Sequence, residues 1–355
     1  MKLRYIGLVL VLSTWLFGCE RESLTDEKIK ILAGIKADPQ LSKLSQAIER
    51  ANLKSALVGT QYTFLAPTDD AFTKAGIDPN AIDPAALLAI LQYHIIPSRI
   101  DSSRFGIDYA VFLGQIVLPG LVGPLTYQGF QTINLNVNAN LYCTNATAES
   151  APGSGIPVSR GVFFNGARIE SFDSFEGADG VVHKIDNVLL PPIGNFGQAI
   201  AADPDLSLFS KLVNKAATAT GASSYATTTL SLLPIDATAP SRAGTLTVLA
   251  PTNAAMTAGG LTEAFIDGAT EAECLGIARR HVFSLRNFSS DLFNQSIRPT
   301  PVTTFTTQQA GVTVTYGSDA NGAFFSNLLT PRADIVKANI VTTNGVIHKI
   351  STRIN

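Results

Sequence analysis

The chain contains one long segment that is written twice. Thr63–Thr68 (TFLAPT) returns as Thr247–Thr252 (TVLAPT), and Gly180–Ile185 (GVVHKI) returns as Gly345–Ile350 (GVIHKI). A repeat of about 160 residues is too long for a solenoid unit and has the length of a whole domain. The sequence therefore predicts two copies of one fold in series.

Composition allows each copy a core of its own. The chain has 355 residues, of which 46% are apolar, so each half can bury enough side chains to fold as a domain. The net charge of -2 lacks the basic excess that phosphate contacts require, and the sequence has no cluster of Lys and Arg with interleaved aromatic residues. Nucleic acid is therefore not expected as a partner.

The N-terminus has the layout of an export signal. A basic start precedes an apolar run, Ile6–Phe17, that is short for a membrane span and ends at Gly18-Cys19. A small residue before a cysteine at this point resembles the lipobox of bacterial lipoproteins, which implies a signal peptide over 1–18 and a lipidated tether over 19–27. Lipidation is then expected at Cys19, and the protein is expected to be an outer membrane lipoprotein, surface-exposed or facing the periplasm. An ordinary signal peptide or a short anchor, with an incidental cysteine, is the alternative.

The two other cysteines are not expected to form a disulfide. Cys143 and Cys274 fall in different halves, at positions that do not correspond. Cys274 stands in a predicted helix where the first copy has Leu87, which predicts a small apolar core residue.

Each copy opens with the same helix signal. Asp38-Pro39 and Asp203-Pro204 place a capping side chain before a proline at the first helical position. Apolar residues then recur every three or four positions, which predicts one buried helix face in each copy. These residues are Leu41, Leu44, Ile48 and Ala51 in the first copy and Leu206, Phe209, Val213 and Ala216 in the second.

A short strand follows in each copy, at Tyr62–Ala66 and Leu246–Ala250. Each strand is expected to end at a proline, followed by a threonine that can cap the next helix, at Pro67-Thr68 and Pro251-Thr252. The spacing between equivalent residues increases before this strand and decreases again before the last box, which predicts inserted surface loops near 216–243 in the second copy and 140–157 in the first.

Helices concentrate early and strands late in each copy. Further helices are predicted to start at Asp83-Pro84 and at the capping box Thr270/Glu273, and each runs into a histidine, His94 or His281. Tight turns at Asp179-Gly180 and Asn344-Gly345 should lead into closing strands over 181–189 and 346–354. This order predicts an α+β fold, with one domain over 28–192 and a second over 193–355.

These boxes resemble the fasciclin domain family. The resemblance rests on Thr63–Phe72, Tyr93-His94 and Gly180–Pro191 in the first copy, and on Thr247–Met256, His281 and Asn344–Ile350 in the second. It implies a wedge-shaped β-sandwich with helices packed along one side, found in extracellular and membrane-anchored proteins linked to adhesion. Family ligands are protein partners and sometimes matrix or glycan, and no general enzymatic activity is implied. Arg280 departs from the Tyr of the central pair, and Met256 departs from the Phe that ends the first box.

The motif residues are expected to serve structure and not chemistry. The two histidines of a copy, such as His94 and His183, lie far apart in sequence and lack the close pair that anchors most zinc sites. No serine stands in a Gly-x-Ser-x-Gly frame. No catalytic residue, metal or cofactor is therefore expected. The structural motif residues are Thr63, Pro67, Thr68, Tyr93, His94, His183, Thr247, Pro251, Thr252, His281 and His348.

The expected function is a lipid-anchored envelope binding or adhesion protein that contacts a protein or glycan at the cell surface. The alternative is a glycan-capturing accessory lipoprotein of an envelope polysaccharide-uptake system. A threonine-rich stretch, Thr303–Thr315, alternates with Val, Phe and Tyr, which is typical of a strand with one solvated face and could also meet a glycan. A hydrolase would need a polar cluster that the sequence does not supply.

Overall fold

A computed structural model describes most of the two repeated copies. The residues described are 30–57, 61–96, 99–102, 143–146, 161–192, 194–219, 246–296, 301–342 and 345–355. Cys19, the predicted signal peptide and the tether lie outside these ranges, as do most of the two predicted insertions and the Asn344 turn position. Within these ranges, no helix has both the length and the apolar character needed to cross a membrane.

The first copy begins with helices and ends with strands. Its helices are α1 (Lys30–Ala37), α2 (Ser42–Arg50), α3 (Asp69–Ala75) and α4 (Pro84–Tyr93), with 3₁₀ turns at Pro39–Leu41 and Leu53–Ala56. Its strands are β1 (Tyr62–Pro67), β2 (Ile95–Ile96), β3 (Cys143–Ala146), β4 (Gly161–Phe164), β5 (Ala167–Gly177) and β6 (Gly180–Ile185).

The second copy repeats this order with additional helices. Its helices are α5 (Phe196–Ala202), α6 (Ser207–Ala216), α7 (Asn253–Ala258), α8 (Glu263–Gly268), α9 (Glu271–Arg280) and α10 (Ser289–Ser296), with a 3₁₀ turn at Pro204–Leu206. Its strands are β7 (Leu246–Pro251), β8 (Val282–Ser284), β9 (Thr304–Thr306), β10 (Thr313–Asp319), β11 (Gly322–Ser326), β12 (Ala333–Thr342) and β13 (Gly345–Ile350).

The two sheets have the same strand topology, except that the second has an additional edge strand, β9. The strand order is β2-β1-β6-β5-β4-β3 in the first copy and β8-β7-β13-β12-β11-β10-β9 in the second. In each sheet the early strand and the closing strand run parallel, β1 with β6 and β7 with β13, while the remaining pairs are antiparallel. The predicted α+β class and the tandem arrangement are confirmed.

The predicted helix faces are buried in both copies. In α2 and the turn before it, Leu41 and Leu44 are fully buried, and in α6 Phe209 is buried in the same way. The start of each helix differs from the prediction. Asp38 and Asp203 each cap a short 3₁₀ turn, and the α-helix begins only after it.

A glycine opens each closing strand because a neighbouring backbone lies too close for a side chain. A Cβ added at Gly180 would stand 1.9 Å from the carbonyl oxygen of Tyr62, and one at Gly345 would stand 2.0 Å from that of Leu246. Gly180 also has a φ of +144°, which favours glycine. The first residue of each box is therefore fixed by the parallel strand pairing.

The closing strands are shorter than predicted. β6 ends at Ile185 and β13 ends at Ile350, instead of continuing to 189 and 354. Beyond these points the chain leaves the sheet, and the backbone N–H groups of Leu189 and Ile354 donate to histidine side chains.

Four further elements, two strands and two helices, differ from the sequence prediction. The threonine-rich stretch forms two antiparallel strands, β9 and β10, because residues 307–312 turn the chain back on itself. Helices α1 and α5, which precede the predicted first helix of each copy, were missed. For α5 the capping box of Asn195 and Gln198 was a usable signal.

Candidate functional site

The proline and threonine of the first box join the early strand to the helix after it. Pro67 and Pro251 are the last residues of β1 and β7 and pair with the closing strands. Thr68 caps α3, because its side chain accepts a hydrogen bond from the Ala71 backbone N–H, and Thr252 caps α7 in the same way. These residues form part of the frame and do not point to a ligand.

The first histidine of each copy ties a helix end to the tail of the domain. His94 Nδ1 donates to the carbonyl oxygen of Ile90, 2.8 Å away, and its Nε2 accepts from the Leu189 backbone N–H at 2.9 Å. The Leu189 contact fixes the tautomer, because a backbone N–H can only donate. Both ring nitrogens are therefore engaged.

His281 repeats this arrangement in the second domain. Its Nδ1 lies 2.9 Å from the carbonyl oxygen of Ile277, and its Nε2 accepts from the Ile354 N–H at 3.0 Å. His94 and His281 are both fully buried.

The second histidine and the first-box threonine of each copy bind one backbone unit between them. In the first domain, Thr63 Oγ1 accepts from the Ile100 N–H at 2.8 Å, and His183 Nε2 lies 2.7 Å from the Ile100 carbonyl oxygen. Thr63 and His183 lie on the adjacent strands β1 and β6. The segment after β2 is thereby fixed to the centre of the sheet.

The second domain uses the equivalent residues on Asn287. Thr247 Oγ1 accepts from the Asn287 N–H at 2.9 Å, and His348 Nε2 lies 2.8 Å from its carbonyl oxygen. Because both copies use a threonine and a histidine in this way, the duplication extends to individual hydrogen bonds.

Burial keeps these histidines neutral. Removal from water lowers the pKa of His94, His281 and His348 to about 4 in each case, although hydrogen bonds to backbone carbonyls oppose the change. Burial also lowers the pKa of His183. In the described part of the chain, no group of three or more His, Cys, Asp or Glu residues is placed to hold a metal ion. The arrangement suits structural hydrogen bonding.

The central Tyr-His pair is where the two domains diverge. Tyr93 is buried, and its hydroxyl accepts a hydrogen bond from Asn165 Nδ2 at 3.0 Å. Arg280 takes its place in the second domain and is only partly buried. Arg280 therefore places a charged side chain at the surface of the second domain, where the first domain has a buried tyrosine.

The second domain also carries a loop that the sequence analysis missed. Two residues separate Phe164 from Ala167 between β4 and β5, whereas seven separate Phe325 from Ala333 between β11 and β12. The extra residues form a leucine loop, defined here as residues 327–332, in which Leu328 is 96% exposed and Leu329 is 68% exposed. Two adjacent leucines before a Thr-Pro pair were the available signal.

Hydrogen bonds hold the leucine loop in one conformation. Asn327 Oδ1 accepts from the backbone N–H groups of Leu329 at 3.0 Å and Thr330 at 2.6 Å, and Asn327 Nδ2 donates to the Asn355 carbonyl oxygen at 3.0 Å. The two leucines are therefore presented by an ordered backbone.

The box lysines form a second pair of equivalent contacts that the sequence analysis missed. Lys184 Nζ lies 2.6 Å from Asp38 Oδ2, and Lys349 Nζ lies 3.0 Å from Asp203 Oδ2 and 2.7 Å from Asp205 Oδ2. An ion pair thereby links each closing strand to the aspartate that caps the 3₁₀ turn before α2 or α6. Cys274 is fully buried in the second core, as expected, with a free thiol.

These features define two domains of one family. The sequence profile of the Fasciclin domain matches residues 39–191 and again residues 208–354. The chain belongs to the fasciclin domain family, as the resemblance of its boxes predicted, and it contains two such domains in tandem. Domains of this family are adhesion-type domains of cell-surface and extracellular proteins, and they are typically not enzymes.

Curated relatives match a shorter part of the chain. Cell surface glycolipoprotein MPB83 of Mycobacterium bovis is 40% identical over 80 residues, which is 19% of this chain and 36% of the relative. Cell surface glycolipoprotein MPT83 of Mycobacterium tuberculosis matches to the same extent. The chain therefore spans about a third of the length of the curated relatives that it matches.

Among solved structures, the chain matches an FAS1 domain pair from the insect cell adhesion molecule Fasciclin I. It aligns with 89% of this chain and 97% of its own, at 18% identity and a TM-score of 0.38.

Proposed function

We propose that this chain is a lipid-anchored binding protein of the cell envelope that uses its two fasciclin domains for adhesion and carries no catalytic activity. The main support is the use made of the repeated polar residues. The side chains of Thr63, His94 and His183 form hydrogen bonds to backbone groups of their own domain, and the equivalent residues of the second domain do the same. We therefore expect ligands to bind at surfaces that differ between the two domains.

The matched relatives support a surface location. They are named cell surface glycolipoproteins, and a lipid on Cys19 would give this chain a comparable attachment. The test is intact-mass analysis of the full chain beside a Cys19→Ala variant. We expect the mass of the mature chain to include a lipid, and we expect the variant to lack that added mass. An unmodified, secreted parent chain would refute the anchor.

We propose that the leucine loop contacts a protein partner. Exposed leucines on an ordered loop offer apolar area at little entropic cost, which suits a protein surface better than a hydroxyl-rich glycan. Two linked domains on an anchored chain also raise weak contacts into useful avidity when the partner is multivalent.

Adhesion of cells that display the chain tests this contact. Leu328→Ser with Leu329→Ser should reduce attachment and crosslinking to a neighbouring protein, while thermal unfolding stays unchanged because both side chains are exposed. Val336→Ser is the matched control, since Val336 is a 54% exposed aliphatic residue outside the loop. Equal attachment by all three chains would contradict the assignment.

Glycan capture is a second candidate, favoured by one specific surface. On β9 and β10, Thr304 pairs with Thr315 and Thr306 pairs with Thr313, so four threonines share one side of two strands. A glycan array with the full chain, repeated with Thr304→Val and Thr306→Val, separates the two functions. Glycan binding that both substitutions abolish, together with attachment that is insensitive to the leucine loop, would favour glycan capture.

A further inference from the structure

One pair of cations in the second domain has no counterpart in the first. The hydrogen bond between His281 Nε2 and the Ile354 N–H, at 3.0 Å, brings together two stretches of chain. Arg280 directly precedes the histidine, and Arg353 directly precedes the isoleucine. These two arginines therefore flank the same hydrogen bond.

The first domain shows what normally fills this place. The equivalent hydrogen bond joins His94 to the Leu189 N–H at 2.9 Å, and the residues before its two ends are Tyr93 and Val188. Both side chains are buried, at 3% and 7% exposure. The second domain has thus replaced an aromatic and an aliphatic contact with two guanidinium groups.

A third position has changed together with the two arginines. A Cβ added at Gly259 would lie 2.4 Å from Arg353 Cδ and 2.5 Å from its Nε, so a glycine is needed for the Arg353 side chain to lie where it does. The residue at this place in the first domain is Ala75, which packs beside the core that contains Val188. Gly259 therefore leaves space for the Arg353 side chain that an alanine, as at position 75 of the first domain, would fill.

The two guanidinium groups lack a counter-charge within the residues that the structure describes. The Nε atoms of Arg280 and Arg353 are buried without a hydrogen-bond partner there, and neither residue forms an ion pair with a described carboxylate. Arg332 shows the contrast, since its guanidinium contacts Asp319 at 2.7 Å and Asp334 at 2.6 Å. A partly buried, unpaired guanidinium is destabilising, because its hydration is reduced and nothing replaces it.

The positive charges of Arg280 and Arg353 favour an anion between them. Burial and then the charge of Arg280 lower the pKa of Arg353. Burial, with smaller contributions from both arginines, lowers the pKa of His281 to about 4, so the ring between them stays neutral. An oxyanion between two guanidinium groups would relieve the repulsion and supply acceptors for their N–H groups.

We propose that Arg280 and Arg353, with Gly259 beneath Arg353, form a binding site for an oxyanion, the carboxylate, sulfate or phosphate group of a ligand. The site does not depend on the proposed adhesion function. The oxyanion can come from a free ion or from an acidic polysaccharide, because both present the same chemical group. The first domain, with Tyr93 and Val188, lacks such a site at the equivalent place.

Calorimetric titration of the full chain tests the site, with two sets of probes at constant ionic strength. Inorganic phosphate, sulfate and acetate represent free ions, while a polyuronate and dextran sulfate represent acidic polysaccharides, with neutral dextran as the blank. We expect saturable binding of one oxyanion per chain in at least one set, and the set that binds more tightly identifies the source of the group.

Arginine variants link that binding to the site. Arg280→Gln and Arg353→Gln should each weaken binding by about tenfold or more, because each removes a charge-assisted contact. Arg332→Gln is the control for loss of a positive charge elsewhere and should leave binding unchanged. No saturable binding in either set, or binding that survives both substitutions, would overturn the proposal.

A measurement on the unmodified chain covers the case in which a variant fails to fold. Phenylglyoxal modifies accessible arginines, and peptide mass analysis reports each one. The tightest probe should slow modification of Arg280 and Arg353 and leave Arg332 unaffected. Equal rates with and without the probe at all three residues would contradict the site.

Discussion

Asp173 and Asn339 lie at equivalent bulges in β5 and β12 and share a left-handed backbone, with φ of 45° and 62°. Each turns its backbone N–H toward Nδ1 of the closing-strand histidine, His183 at 3.0 Å and His348 at 3.4 Å. The backbone contact is the same, but the first domain adds a carboxylate where the second has an amide. Asp173 Oδ1 lies 3.6 Å from His183 Nδ1.

Replacing each of these two residues with its counterpart should shift the pKa of the neighbouring histidine in opposite directions in the two domains. Asn339→Asp should raise the pKa of His348, because a nearby carboxylate favours the protonated ring, and Asp173→Asn should lower that of His183 further. A change of about one pH unit is expected in each case. NMR titration of the ring protons measures both values. Asp319→Asn, far from both rings in sequence and engaged with Arg332, is the control, and unchanged values in both exchanged chains would contradict the explanation.

Acidification should destabilise the second domain more than the first. The pKa of His281 and His348 is about 4 in the folded state, below the ordinary value of 6.5, so the unfolded state binds more protons between these limits. The stability from neutral histidines is complete above pH 6.5 and is lost as the pH falls toward 4. From pH 7 to 5, each such histidine should cost roughly 2 kcal/mol.

In the first domain the pKa of His94 is lowered to about 4, whereas the lowering of the pKa of His183 by burial is opposed by its hydrogen bond to the Ile100 carbonyl oxygen and by the nearby Asp173 carboxylate. Hydrogen exchange of the full chain, resolved by peptide and corrected for the intrinsic rate at each pH, should therefore show the larger loss of protection in the second domain. Equal losses in the two domains would show that other groups control the acid response.

Removing His94 should loosen the tail of the first domain. His94→Ala leaves the Leu189 N–H and the Ile90 carbonyl oxygen without their side-chain partner and opens a small cavity, which should cost about 2–4 kcal/mol. Hydrogen exchange should locate the loss at residues 186–192. His281→Ala is the matched variant, and it should leave the first domain protected while exposing the Ile354 amide.

Adding a methyl group to the closing box should be severely destabilising. Gly180→Ala forces a Cβ against the Tyr62 carbonyl oxygen at a φ of +144°, and we expect a loss of about 3 kcal/mol or more. Gly76→Ala is the control, because Gly76 has a φ of +66° with no atom within 4 Å of an added Cβ, and it should cost only about 1 kcal/mol. Similar denaturant midpoints for the two variants would contradict the steric explanation.

Local patterns made much of this fold predictable. The helix faces through Leu41 and Phe209 follow the helical period, and the caps at Thr68 and Thr270 depend on residues three positions away. The tandem arrangement followed from the repeated boxes. Such features need no knowledge of distant contacts.

The remaining features depend on contacts between distant residues. The sequence shows that His94 recurs as His281, but it does not show that the partner of each ring is a backbone N–H far along the chain. The same contact places Arg280 beside Arg353, so the arginine pair was hidden for the same reason. The leucine loop was missed because an insertion between strands carries no periodicity.

The parallel pairing of β1 with β6 determines when the first domain can fold during synthesis, and the pairing of β7 with β13 does the same for the second. Tyr62 pairs with Gly180, and the Leu189 amide that completes the His94 contact comes later still. A ribosome must therefore have synthesised nearly the whole domain before its central sheet can close, and a contact of such long range slows folding. The helices that emerge first therefore lack the sheet against which they pack until a strand more than a hundred residues further along has been synthesised.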